Sequence, residues 1–369
     1  MKKFLLLFAL CGLFSFQAKA EGEVTDKITI SELQTDEYGD TYFTVSLEGS
    51  ENIYTAFQLT MEFPEGVIVP FFDGELAVYR CESSPIFKTR KGLTDHSVTG
   101  SFGAVGDRKL QIICASLSNK DFLATSGDLF DVYVVKESPY VNPEVKFQTS
   151  DLMFTVNLGT AGTDDYMLPE ESYTVQLDNS SEISLNISAT QQWNTCVLPF
   201  DAELPEGVRA FEGSSISGDY LILSEATSLQ AFTPYILYAE NGYEGTLSGT
   251  VDAEKYVTAA TGAYLNGAIM PQEITEGYVM QDKGQGDGMM FYNVNNRSFT
   301  IPSGKCWVSS AAGDAKAIRI GFNETGIESL PSASQAEEGE VYTLDGKRVQ
   351  NPQKGNVYIK GGKKVLYLK

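Results

Sequence analysis

A single histidine, His96, stands in this chain between Asp95 and Ser97, and any nucleophile activated by an imidazole would have to use it. Such chemistry needs base, nucleophile and acid to converge on one point. The three neighbours sit in TDHSVTGSF, which alternates like a strand, and a strand sends adjacent side chains to opposite faces. His96 is therefore expected to be structural, and no catalytic residue is assigned. One histidine also leaves little from which to build a zinc site. Calcium needs clustered oxygens in a D-x-[DN]-x-[DN]-G loop, and the acids of DEYGD (36–40) and DKGQGDG (282–288) are spaced wrongly. No metal ligand and no cofactor is expected, with calcium at most incidental. Forty-nine acidic residues make a chance carboxylate pair easy to find, so a hydrolase stays an alternative that only a cleft with two convergent acids would support.

Four cysteines lie beyond the first twenty residues: Cys81, Cys114, Cys196 and Cys306. In an oxidising compartment they can pair as Cys81–Cys114 and Cys196–Cys306, and the competing reading is four buried free thiols. Among the aromatics, Phe71 and Phe72 flank an Asp-Gly turn and Tyr243 stands at a hairpin tip marked by Asn241-Gly242. These three are the candidate ligand contacts, because exposed rings on β-sheets stack on sugars and anchor protein interfaces. Trp193 and Trp307, flanked by apolar strand residues, read as core.

The elements that must hold these residues are strands. In DTYFTVSLEG, Phe43, Val45 and Leu47 share one face; in AFQLTMEF, Phe57, Leu59, Met61 and Phe63 do the same. Period two recurs in KLQIICASL, DLFDVYVV and SYTVQL, with Gly, Asn, Asp and Pro between the runs. That pattern predicts an all-β fold of two antiparallel β-sandwich domains with a small C-terminal β tail. Short helices are expected only around 118–124 and 222–230.

The N-terminus points to export. Lys2 and Lys3 precede an apolar run from Phe4 to Phe16, and Ala18 and Ala20 supply the small residues of a cleavage site, as in a secretory signal peptide. The run falls short of the roughly 20 apolar residues that span a bilayer, and no later segment reaches that length. Losing Lys2, Lys3 and Lys19 with residues 1–20 takes the formal charge from −22 to −25. From Tyr342 onward seven basic residues face only Asp345, so residues 21–341 carry about −31 and the tail about +6. A body so acidic repels phosphate backbones and anionic lipid, which makes nucleic acid an unsuitable partner.

Composition divides the chain into a signal peptide (1–20), a first sandwich (21–178), a second β-rich module (183–322), a linker containing LPSASQAEEGE (323–340) and a basic tail (341–369). Residues 53–135, through IYTAFQLTMEFPEGV, TDHSVTGSF and RKLQIICASLSNKDFLATSGDLFDVYVV, resemble the cohesin-like sandwiches of secreted and surface proteins of Bacteroidetes, which implies a cohesin- or jelly-roll-like first domain. Residues 191–322, through WNTCVLPFDAELPEGVRAF, LQAFTPYILYAENGYEGTLSG and FTIPSGKCWV, resemble an accessory β module of surface adhesins in that phylum. The ending VYTLDGKRVQNPQKGNVYIKGGKKVLYLK resembles the C-terminal sorting domain of type IX secretion.

Together these resemblances imply a non-catalytic binding or adhesion protein, secreted or at the outer cell surface, or periplasmic if the tail is not used. Its partners would be an extracellular protein or glycan and, through the tail, the export machinery. The alternative within the same setting is a carbohydrate-binding accessory subunit of a glycan-utilisation system.

Overall fold

A computed structural model describes residues 26–49, 51–103, 107–284, 288–309, 315–322, 341–342, 347–349, 357–360 and 363–366. The expected signal peptide, with Ala18 and Ala20, and the expected linker lie outside the described residues. The chain divides into two compact units. One reaches to Ser180 and takes in Val251–Lys255; the other comprises Ser181–Thr250 and the chain from Tyr256 onward.

The first unit is a sandwich. In chain order its main strands are β1 (Lys27–Ile30), β2 (Thr41–Glu48), β3 (Ala56–Glu62), β4 (Phe71–Phe72), β5 (Glu75–Leu76), β6 (Val78–Arg80), β7 (His96–Phe102), β8 (Lys109–Ser116), β9 (Gly127–Tyr133), β10 (Glu144–Asn157), β11 (Thr163–Met167) and β12 (Ser172–Gln176). One sheet is ordered β1-β2-β9-β6 and the other β7-β8-β3-β10-β11, with β12 also pairing β10. All these ladders are antiparallel. The alternation read from the sequence is the packing: Leu110, Ile112 and Cys114 of β8 are buried, while Ile113 between them is exposed. Rings meet across the gap between the sheets, Phe43 stacking on Phe147 at 5.3 Å and Phe57 on Phe130 at 5.6 Å. Strand β10 pairs β12 through its first half and β11 through its second, and between the two its ladder with β3 shifts register from Ser150 to Met153, where Asp151 takes a left-handed φ of 52°.

The second unit centres on one ten-stranded sheet running from Trp193–Cys196 at one end to Ala259–Thr261 at the other. In its middle Ala317–Phe322 pairs parallel with Tyr220–Ala226 and antiparallel with Met289–Asn293. Phe211, Leu221 and Ile236 from one half share a core with Tyr278, Phe291 and Val308 from the other. The halves therefore face each other like the two sheets of a sandwich. The end strand also meets Lys305–Val308, where Val197 N–H donates to Gly304 O at 3.2 Å and Cys306 N–H to Thr195 Oγ1 at 3.0 Å. In the tail, Val357–Lys360 and Lys363–Leu366 form a hairpin inside a four-stranded antiparallel sheet.

The fold class is thus all-β and dominantly antiparallel, but both expected helices are absent. Residues 118–124 are turn and irregular chain, because Phe122 drives inward against Phe57, Phe87 and His96. Residues 222–230 fall mainly in the strands Tyr220–Ala226 and Ser228–Leu229, where Leu221 and Leu223 alternate into the core. Among the described residues the helical elements are two three-residue 3₁₀ turns, Gly159–Ala161 and Ala253–Lys255.

Removing one ring of a cross-sheet pair tests this account of the first unit. Phe57→Ala is expected to destabilise it by about 3–5 kcal/mol in urea unfolding, whereas the exposed Ile113→Thr should change stability by under about 1 kcal/mol.

Candidate functional site

His96 occupies the buried face of β7. Its Nε2 is 2.9 Å from Lys120 O and 3.2 Å from Thr55 O, and its Nδ1 is 2.9 Å from Thr94 Oγ1. Two carbonyls at Nε2 require a proton there, so the neutral form of the ring is the Nε2–H tautomer, with Nδ1 accepting from the threonine. Rings of Phe122 and Phe87 pack against it, and burial lowers its pKa below the ordinary histidine range. Asp95 turns the other way and is held down to about 2 by hydroxyl donors from Ser118 and Ser116. Ser97 is exposed. Strand alternation thus separates the three residues that a catalytic arrangement would have to bring together.

The four cysteines are free, buried thiols, and neither expected pair is bridged. For Cys81 and Cys114 the reason is the face each occupies. Cys81 Sγ donates to Asp131 Oδ1 at 3.4 Å on the outer side of its sheet, while Cys114 points into the core beside Leu110 and Ile112. Cys196 and Cys306 are neighbours, with Cys306 Sγ donating to the Cys196 carbonyl at 3.2 Å. Burial raises all four thiols, Cys196 to about 12. Beside them Lys305 Nζ donates to Asn194 Oδ1 at 2.7 Å, and burial lowers its pKa.

The candidate aromatics separate. Tyr243 is half-buried at the start of Tyr243–Thr250 and lies back along its own strand, over a glycine, Gly245, whose missing Cβ makes room for the ring. Trp307 is buried, and Trp193 packs 4.7 Å from Tyr238. Phe71 and Phe72 form β4, which pairs with β5 across Asp73 and Gly74. Both turn residues have positive φ, 50° and 84°, the geometry of a tight two-residue hairpin that Asp-Gly favours. Phe72 faces inward and meets Tyr133 edge-on at 5.3 Å. Phe71 faces outward and is 64% exposed.

This hairpin is one lip of a groove of about 1600 Å³ in the first unit, and β7 lines the same groove. Gly100 of β7 is needed here, because a Cβ would come within 2.9 Å of Val78 Cγ2 and 3.1 Å of Leu76 Cδ2. Phe71, Ile68 and Phe102 supply apolar lining; Glu65, Asp107 and Arg108 are among the charged residues. Beside the hairpin, Tyr42, Tyr133 and Tyr79 come from neighbouring strands of one sheet, with ring centroids 5.1 and 5.7 Å apart. The sequence flagged Phe71 but missed this tyrosine cluster and the role of β7, because both depend on strands distant in sequence. Among the described residues no group of three or more histidine, cysteine or acidic side chains is placed to hold a metal, and no helix is long and apolar enough to cross a membrane.

The fold and site describe an all-β protein with an open, acid-rimmed groove on one sandwich. No family model and no curated protein matches the sequence. Among solved structures, the full-length major pilin SpaD of Corynebacterium diphtheriae aligns at 13% identity over 82% of this chain, with a TM-score of 0.27; the chain covers 64% of that pilin. The type II cohesin dyad of the ScaA scaffoldin of Acetivibrio cellulolyticus aligns at 10% identity over 72% of this chain and 91% of that one, with a TM-score of 0.22. The C-terminal domain of the AgI/II polypeptide BspA of Streptococcus agalactiae aligns at 8% identity over 76% of this chain and 99% of that one, with a TM-score of 0.21. Similarity this distant says nothing about a ligand.

Two measurements follow from the buried groups. With residues 1–20 removed, the native protein should show no thiol reactive to a disulfide reagent and four in denaturant; fewer than four in denaturant would indicate bridges. His96 has its pKa lowered on folding, so below about 6.5 the unfolded chain binds a proton that the folded one resists. Stability is therefore full above that pH and declines as pH falls towards the folded pKa. The melting temperature should drop between about pH 7 and 5, and His96→Gln should flatten that drop at some cost in stability.

Proposed function

We propose that this chain is a non-catalytic binding protein, secreted or displayed at the cell surface, and that its ligand contact is the groove of the first unit. The observation that carries this reading is Phe71. A large apolar ring is held 64% exposed on a tight hairpin lining the groove, with a second exposed apolar side chain, Ile68, lining the same groove. The ligand is an extracellular protein or glycan, and a groove lined by the strand stretch Val98–Phe102 favours a polypeptide. A second reading, an accessory carbohydrate-binding subunit, is favoured by the tyrosine cluster of Tyr42, Tyr133 and Tyr79.

The basic tail fits an address for the export machinery better than a ligand site. From Tyr342 onward seven basic residues stand against Asp345 alone, and this charge, opposite in sign to the acidic body, supports reading the tail as a unit recognised separately from the ligand site.

A screen of residues 21–369 against a glycan array and a panel of extracellular proteins tests the proposal. A protein ligand whose binding weakens roughly tenfold in Phe71→Ala, with an unchanged melting temperature, is the expected result. Sugar hits lost in Tyr79→Ala but kept in Phe71→Ala would transfer the function to the tyrosine cluster. No hit above background would sink both readings.

A further inference from the structure

Strand β7 is an edge. It pairs with β8 on one side, through a register that runs without a shift from His96↔Ser116 to Phe102↔Leu110. In an antiparallel strand the N–H and C=O of a given residue point to the same side, and the side alternates from residue to residue. The His96 carbonyl accepts from Arg80 Nη1, and so faces away from β8. Alternation then places the N–H and C=O groups of Val98, Gly100 and Phe102 on that same outer side. None of these six groups bonds to a described residue. Arg80 also caps Thr94 O at 3.2 Å, which closes the edge at its start and leaves Val98–Phe102 open. All five residues of that stretch line the groove.

We propose that the groove takes an extended, lysine- or arginine-bearing segment of a partner protein, added as a further antiparallel or parallel strand on the outer edge of β7. This deepens, and rests on, the reading of the first unit as a polypeptide-binding sandwich. The open stretch is about 14 Å long at about 3.4 Å per residue, enough to pair with a segment of about five residues. Phe71 of the hairpin gives apolar side chains of that segment a surface to cover. The choice of a basic partner comes from charge. Glu65, Asp73, Glu75, Asp107 and Glu137 line the groove, and none makes an ion pair with a described residue. Of the two lining arginines, Arg80 is committed to backbone carbonyls and to Glu82 at 3.4 Å, so Arg108 stands against five carboxylates.

The test uses residues 21–369 and two labelled, end-capped nonapeptides, one alternating valine with lysine and one alternating valine with glutamate, followed by fluorescence anisotropy. The lysine peptide should bind at least roughly tenfold more tightly, and its affinity should fall as salt is raised to about 0.5 M. Val98→Pro removes an outward N–H without touching the ladder to β8, and should abolish binding with the melting temperature kept. If that variant fails to fold, the exposed double variant Glu75→Lys/Asp107→Lys decides, and it should reverse the preference between the peptides. Equal binding of both peptides, or lysine-peptide binding indifferent to Val98→Pro, overturns the proposal. Partner proteins found in the wider screen that need Phe71 but ignore Val98→Pro would overturn the edge pairing while leaving the binding role intact.

Discussion

The contact on which the first unit depends is the meeting of aromatic rings across its two sheets. Each sheet is apolar on one face only, and neither face can be hidden except against the other. Phe57 with Phe130, and Phe43 with Phe147, fill that gap from opposite sides. Burying each ring contributes roughly 1.5–3 kcal/mol, so these pairs favour one mutual register of the sheets. The groove is a by-product of the same constraint. Two stacked sheets leave edges, and at the corner where β6 and β7 approach, Gly100 is small enough to let Leu76 and Val78 close the core from the side.

Polar groups drawn into this core are matched one by one. Tyr54 donates to the buried Asp26 at 2.5 Å, and His96 is held by two carbonyls and a threonine; on the outer side of its sheet the half-buried Asp131 accepts from Thr44 at 2.7 Å. Among the described residues no buried side-chain nitrogen or oxygen is without a partner. The histidine, Asp26 and the thiols of Cys81 and Cys306 each use these contacts to tie one segment of the chain to another.

Around the groove, outside the core, lie the exposed ring of Phe71, a stretch of strand edge and several carboxylates. A free edge invites pairing, and folded proteins usually shorten, charge or cover it. Here Arg80 covers the beginning and acidic side chains surround the remainder. The acids deter a second copy of an acidic protein and leave the edge open to a basic one.

The sequence by itself determined the strand content. Phe57, Leu59 and Met61, or Leu110, Ile112 and Cys114, announce a two-residue period that any sheet must bury on one side. It also determined the hairpin of Phe71 and Phe72, because Asp-Gly tolerates the positive φ that the turn requires. Local pattern failed where a distant contact outweighed it. A short helix is expected over residues 118–124, but Phe122 is claimed by Phe57, Phe87 and His96. Only the tertiary structure decided which of two adjacent phenylalanines faces solvent, which cysteines share a face, and that β7 ends its sheet. Those outcomes depend on strand order, and strand order is set by pairings between segments tens of residues apart, which a two-residue period cannot encode.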